Sequence, residues 1–202
     1  MSPELRSDRS GAPEVVARLA EHGTRPDPDA VRAAMEAGAV GVEVPLAVLE
    51  THGATAGVTT LVAVTDAASA RRAIDRGAGG LRITAPGAER DELVALAEAN
   101  GVAAHVPIGR GVPEAAFVDV GDLDPDAGDD LVGRLAALAD LAAAGRSVIA
   151  SIGPVGPDAT ATLAALATDR GAAVLRVVEV AAAVRAAAVS AAVGAPRPGR
   201  SR

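Results

Sequence analysis

Along this chain short runs of Val, Ile and Leu alternate with longer stretches in which Ala and Leu recur at helical spacing among Arg, Asp and Glu. A brief β-branched run followed by a longer amphipathic one is the pattern of a parallel strand and its crossover helix. Strands are expected at Glu14–Leu19, Ala39–Val44, Thr60–Val64, Gly80–Thr84, Val102–Val106, Ala116–Val120, Ser147–Ser151 and Ala173–Val177. Helices are expected at Asp29–Ala37, Ala67–Arg76, Glu89–Ala99, Asp129–Ala144, Ala159–Arg170 and Val180–Val193. Asp27-Pro28-Asp29, Asp66 and Pro157-Asp158 supply helix openings. Gly77, Gly101, Gly145 and Gly171 stand just past helix ends, where a left-handed residue is wanted. Neither Pro45–Val58 nor Ile108–Pro113 reads as a helix. Eight strands with parallel crossovers predict an α/β fold, a TIM-type (β/α)8 barrel shortened from the roughly 250 residues usual for it. An open doubly wound sheet is the alternative. Residues 1–12 and 194–202 are rich in charge, Pro and Gly, and are expected to be disordered tails around one domain, residues 13–193.

Composition narrows the function. The core must be built from small aliphatic side chains, because Phe117 is the only aromatic residue and Trp and Tyr are missing. A chain of net charge −7 without stacking platforms is a poor partner for nucleic acid or for an anionic membrane surface. Without cysteine there is no disulfide and no thiolate metal site. The polar N-terminus lacks a signal-peptide core, and charged residues interrupt every apolar run, so a cytoplasmic location is expected. All 19 basic residues are Arg, and the single asparagine is Asn100.

The later part of the chain is the more specific. Gly171-Ala-Ala-Val-Leu-Arg-Val-Val-Glu-Val, with the Ala-rich stretch after it, resembles the last strand and helix of the dihydropteroate synthases, where the pattern is Gly-Ala-x-x-x-Arg-Val-His-Asp-Val. Phe117-Val-Asp-Val-Gly is similar to that family's Leu-Asp-Pro-Gly strand end. The segment from Leu131 to Val148 matches the next helix and strand in length and pattern. Thr60–Ala78 resembles the Val-Asp-Thr strand and its helix, and Gly101–Gly111 falls where the family carries Met-His-Met. The match is collinear over roughly residues 60–193, and it implies a pterin-binding barrel of the folate pathway.

The family joins p-aminobenzoate to a dihydropterin pyrophosphate, using carboxylates and an amide on the pterin edge, a lysine at the ring, and Arg with His on the pyrophosphate. Carried over position by position, Asp119 and Arg176 survive as residual pterin-binding residues. The other positions differ: the Val-Asp-Thr aspartate falls on Ala63 (with Asp66 nearby), the asparagine on Arg82, the lysine on Val155, the histidine on Val178 and the last aspartate on Glu179. Thr24-Arg25-Pro26 is turn chemistry, out of place for the family's Thr-Arg-Pro-Gly loop. The resemblance therefore implies a degenerate member with no catalytic residues left, which acts as a binding or regulatory partner. The resemblance also implies a homodimer, or pairing with a related synthase, through the last helices. No cofactor or metal is expected, with Mg²⁺ a possibility only for an active enzyme. A pterin or a pyrophosphate-type compound is the expected ligand class. The alternatives are an active transferase with Arg82 and Arg176 on the pyrophosphate and Asp119 on the pterin, and a barrel for another small anion.

Four residues, Glu43, Arg82, Asp119 and Arg176, would stand toward the C-terminal ends of strands. They would line a small polar pocket or, the favoured reading, pair as a charge-compensated plug. The acidic run Asp119, Asp122, Asp124, Asp126, Asp129 and Asp130 reads as a hydrated loop whose last carboxylates favour a helix N-terminus; a weak Mg²⁺ or Ca²⁺ site is the minor alternative. His105 is expected as a hydrogen-bonded buried imidazole, and His22 and His52 as surface residues. Ser151-Ile-Gly-Pro-Val-Gly is a strand-to-helix turn that could present N–H groups to an anion.

Overall fold

Each of the eight apolar runs forms a strand, and the strands close on themselves in parallel, in the order β1 to β8 with β8 pairing back to β1. The structure, a computed structural model, describes residues 12–19, 28–54, 57–109, 112 and 116–194. In chain order the elements are β1 (Glu14–Arg18), α1 (Pro28–Glu36), β2 (Gly41–Val44), α2 (Leu46–His52), β3 (Thr59–Val64), α3 (Ala67–Asp75), β4 (Gly80–Ile83) and α4 (Gly87–Ala99). Then follow β5 (Ala103–Pro107), β6 (Phe117–Leu123), a 3₁₀ turn (Pro125–Ala127), α5 (Asp129–Ala143), β7 (Val148–Ile152), α6 (Pro157–Asp169), β8 (Val174–Val177) and α7 (Val180–Gly194). This is a TIM-type (β/α)8 barrel, and closure sets aside the open-sheet alternative. It is economical because no described residue between β5 and β6 is helical.

The period-two alternation of each strand sorts its side chains between two environments. Val15 and Ala17, Val62 and Val64, Ala104 and Val106, and Leu175 and Val177 face outward into the main core beneath the helices. The helices meet them with small residues: Ala70 and Ala73 on α3, Ala97 on α4, Ala164 and Ala167 on α6, and Ala183 and Ala187 on α7 are all buried. Alanine costs no side-chain entropy and lets a helix backbone approach the sheet closely, which is how a chain almost without aromatics fills its core.

The local signals mostly act as expected. Asp66 caps α3, its side chain accepting from the Ser69 N–H at 2.8 Å while the Ser69 hydroxyl completes a capping box. These hydrogen bonds, the Ser69 N–H first, hold the Asp66 carboxyl below its usual range. Gly77, Gly101, Gly145 and Gly171 all take positive φ after their helices.

Two expectations need correction. Leu46–His52 is a helix after all, short and anchored by the buried Leu49; seven residues between Pro45 and Gly53 are too few to show a helical period, and burial holds what length alone would not. Strand β6 runs on to Leu123, past its expected end at Val120, because a bulge between Asp119 and Asp122 keeps it paired with β7. Residues 1–11 and 195–202, and with them most of both proposed tails, lie outside the described residues, as do His22 and Thr24-Arg25-Pro26; Gly194 belongs to α7.

Candidate functional site

The inward faces of the strands stack in layers, each layer taking one residue from alternate strands, as barrel geometry requires. From β1, β3 and β7 come Val16, Leu61 and Ile149, packed with Val174 and Phe117 into a small apolar cluster inside the barrel. The corresponding position of β5 is His105. One level nearer the C-terminal ends, the registers bring Glu43 of β2, Arg82 of β4, Asp119 of β6 and Arg176 of β8 to a common height. Around the barrel their charges alternate: carboxylate, guanidinium, carboxylate, guanidinium. All four residues singled out from the sequence are thus brought together in one layer.

The contacts run through the ring. Arg82 Nε lies 2.9 Å from Glu43 Oε1, Arg176 Nε 3.4 Å from Glu43 Oε2, and Arg176 Nη2 3.1 Å from Asp119 Oδ2. Above the ring Arg18, at the end of β1, stands 4.0 Å from Glu43 and donates to Asp122 at 3.0 Å. The side chain of Arg176 is 4% exposed and that of Arg82 30%, so the ring grades from buried on the β6–β8 side to solvent-facing at β4. A guanidinium as deep as Arg176 is tolerated because two carboxylates offset its desolvation.

Asp119 is the best-held member. Besides Arg176 it accepts from the Gly121 N–H at 2.8 Å and from the Ser151 hydroxyl at 3.3 Å. The first bond exists because Gly121 adopts φ +87° in the β6 bulge, and Arg134 of α5 braces the same bulge by donating to the Val120 carbonyl. Glu43, by contrast, is held by charge more than by directed bonds. Glu43 Oε2, Arg82 Nε, and Arg176 Nε and Nη1 are buried atoms without a hydrogen-bond partner despite the short ion-pair distances.

His105 corrects its expectation. It is buried, as predicted, but neither ring nitrogen has a hydrogen-bond partner; the ring instead lies against Phe117, centroids 5.1 Å apart. Burial first, and then the nearby Arg176 and Arg82 charges, push its pKa down to about 3, so the imidazole is neutral at neutral pH. The acidic run divides. Asp122 is on β6 rather than in a loop and pairs with Arg18, whereas Asp124 caps the 3₁₀ turn and Asp129 and Asp130 open α5. No group of three potential metal ligands gathers among the described residues. His52 is exposed. Of the Ser151–Gly156 segment, Ser151 and Ile152 complete β7 and Gly153–Gly156 forms the strand-to-helix turn, closed by the Val155 N–H on the Gly153 carbonyl. Arg18 is the participant that sequence reasoning missed: nothing in the expected strand Glu14–Leu19 set it apart from the other arginines.

Comparison with solved structures bears on this arrangement. The Yersinia pestis dihydropteroate synthase solved with a pterine-sulfa conjugate superposes with a TM-score of 0.70 at 16% identity, covering 92% of this chain and 95% of that one. The chain has the dihydropteroate synthase fold. The Vibrio fischeri 7,8-dihydropteroate synthase superposes with a TM-score of 0.72 at 12% identity over 96% of each chain. The Mycobacterium tuberculosis protein Rv1207 gives 0.73 at 21% identity over 93% of this chain and 94% of that one. No protein-family profile and no curated protein matches the chain. Identities this low establish the fold, and the site of this dihydropteroate-synthase-like barrel has to be read from its own side chains.

Among the positions that the resemblance assigned to the synthases' amide, lysine and histidine, Arg82 is tied to Glu43, Val155 is half-buried in the turn after β7, and Val178 is exposed beyond β8. None of the three side chains is of the expected type. In barrels of this architecture ligands meet the C-terminal ends of the strands, and that is the end the charged ring occupies.

Proposed function

We propose that this chain is a dihydropteroate-synthase-like barrel without synthase activity, working in the cytoplasm as a binding or regulatory partner. The observation that carries the reading is the ring itself. Arg82 and Arg176 are engaged by Glu43 and Asp119, so the two cations that a pyrophosphate would need are already neutralised. The absence of lysine from the whole chain supports the same reading, since no other register could restore an ammonium to the site. The only asparagine, Asn100, ends α4 and donates to the Leu96 carbonyl.

The partner surface is the face of α6 and α7. There a groove of about 580 Å³ is lined by Ala161, Ala165, Ala182 and Ala186, with Val189 and Val193 at its rim. Val189 and Val193 are 64% and 80% exposed. Small residues on paired helices let a second helix pair approach closely, and exposed valines beside them add apolar area. A second copy of this chain is the simplest occupant, and a related synthase presenting the same helices is the other.

The deciding experiment offers the purified protein a dihydropterin, followed by pterin fluorescence, and then both synthase substrates, with pyrophosphate release as the readout. No turnover is expected. Turnover abolished by Arg176→Ala would establish the active-transferase alternative instead.

A further inference from the structure

Strand β6 brings two carboxylates to one face at a spacing that a regular strand forbids. Side chains alternate along a strand, so Asp119 and Asp122 would ordinarily point to opposite faces. The bulge between them changes the count: Asp119 pairs with Ile149, Asp122 with Ser151 and Leu123 with Ile152. Ile149 lies inside the barrel, whereas Leu123 and Ile152 are buried beneath the helices. Asp122 therefore turns inward with Ser151; without the bulge it would turn out toward the helices. From Asp122 the register runs across the wall to Ser151, Arg176 and Val16, and Arg18 is the next inward residue of β1 after Val16. Arg18 donates to Asp122 at 3.0 Å although β7 and β8 stand between their strands. The pair thus spans the C-terminal ends of two strands, on the solvent side of Arg176. The burial of the ring follows the span: the Arg176 side chain beneath it is 4% exposed, and that of Arg82, on β4 and outside it, 30%.

We infer that the Arg18–Asp122 pair is a strap that shuts the β6–β1 side of the barrel mouth and opens without unfolding the barrel, leaving the β4 side, past Arg82, as the standing approach. The strap is suited to opening. Its side chains are 26% and 57% exposed, and an ion pair so exposed contributes little to folding. The Arg176–Asp119 pair beneath it, 4% and 8% exposed, is fixed by comparison. One end of the strap is held firmly: Arg134 of α5 donates to the Val120 carbonyl at 2.9 Å and to Asp130 at 2.6 Å, which braces the bulge that carries Asp122. The other end is not. Besides Asp122, Arg18 makes only a long 4.0 Å approach to Glu43 among the described residues, so opening falls to the Arg18 side chain. The inference concerns access to the mouth and does not depend on whether the protein turns over substrate.

The test is labelling of the full chain with phenylglyoxal, which modifies accessible guanidinium groups, with the rates at Arg176, Arg82 and Arg146 read from peptide masses. Arg18→Ala and Asp122→Ala each remove one end of the strap. Both are expected to raise the Arg176 rate by about fivefold or more, as local opening of a closed site does, while Arg82 stays close to its wild-type rate. An unchanged Arg176 rate in either variant overturns the inference. In particular, an effect of Arg18→Ala without one of Asp122→Ala would mean that Arg18 covers Arg176 by bulk and that the bond closes nothing. Arg146, which donates to the Ala116 carbonyl at the opposite end of the barrel, reports general loosening. A rise there equal to the rise at Arg176 would also overturn the strap. Synthase turnover by the wild type would sink the proposed function while leaving this result to stand or fall by itself.

Discussion

His105 makes its burial measurable as a pH dependence. Its folded pKa is about 3, against 6.5 for the unperturbed group, because the apolar interior disfavours the imidazolium and the Arg82 and Arg176 charges oppose it. The unfolded chain therefore binds a proton that the folded chain refuses between those values. Stability is full above pH 6.5 and falls as the pH drops, by up to ~1.4 kcal/mol per unit from this residue. Urea midpoints taken from about pH 7.5 to 5.5 should decline for the wild type and stay nearly level for His105→Met. Arg176 makes the complementary point. Cutting it to Ala leaves Asp119 and Glu43 without their buried counter-ion, and should cost about 3–5 kcal/mol. Replacing Arg176 and Asp119 together by apolar residues of similar size should cost clearly less than the sum of the single changes, because the orphaned charge is gone. Additive costs in denaturant titrations would show that the two groups do not act as a pair.

At the scale of elements, the β6 bulge decides where Asp119 points. Gly121 holds φ +87° there, and a Cβ added to it would run into the Arg134 guanidinium. Gly121→Ala is thus expected to destabilise by about 1–3 kcal/mol and to loosen the Asp119 contacts. Gly133, inside α5 with open space around it, is the control. Its change to Ala should stabilise by about 0.5–1 kcal/mol, as helix propensity dictates. Thermal melts of the two variants should move in opposite directions. The bulge had no distinct signal in Val-Asp-Val-Gly-Asp-Leu, since a glycine between two aspartates is equally the start of a loop. Helix α2 was hidden for a related reason. Leu46–His52 is too short to show a helical period or to stand alone as a helix, and it forms where Leu49 can be buried and Glu50 can pair with Arg72 of α3.

At the scale of the whole molecule, the proposed partner face makes a prediction about assembly. Val193→Asp would place a charge on the exposed rim of the α6–α7 groove, where it should leave folding intact and shift the sedimentation of the protein toward the monomer. A wild type that already sediments as a monomer at all concentrations would remove the homodimer and leave the related synthase as occupant. The eight strands, most of the helices and the direction of the chain were legible in the sequence, because periodicity, caps and post-helical glycines are local properties that each segment carries with it. So was the unusual status of Glu43, Arg82 and Arg176, since a charge amid Val, Leu and Ile on a short strand needs a partner in the barrel interior. Their order was not legible. That the signs alternate, that three guanidinium groups converge on Glu43 and that His105 lies beneath them without a hydrogen bond all depend on closure and stagger of the barrel. Stagger sets which residues of distant strands share a height, and no local stretch of sequence encodes it.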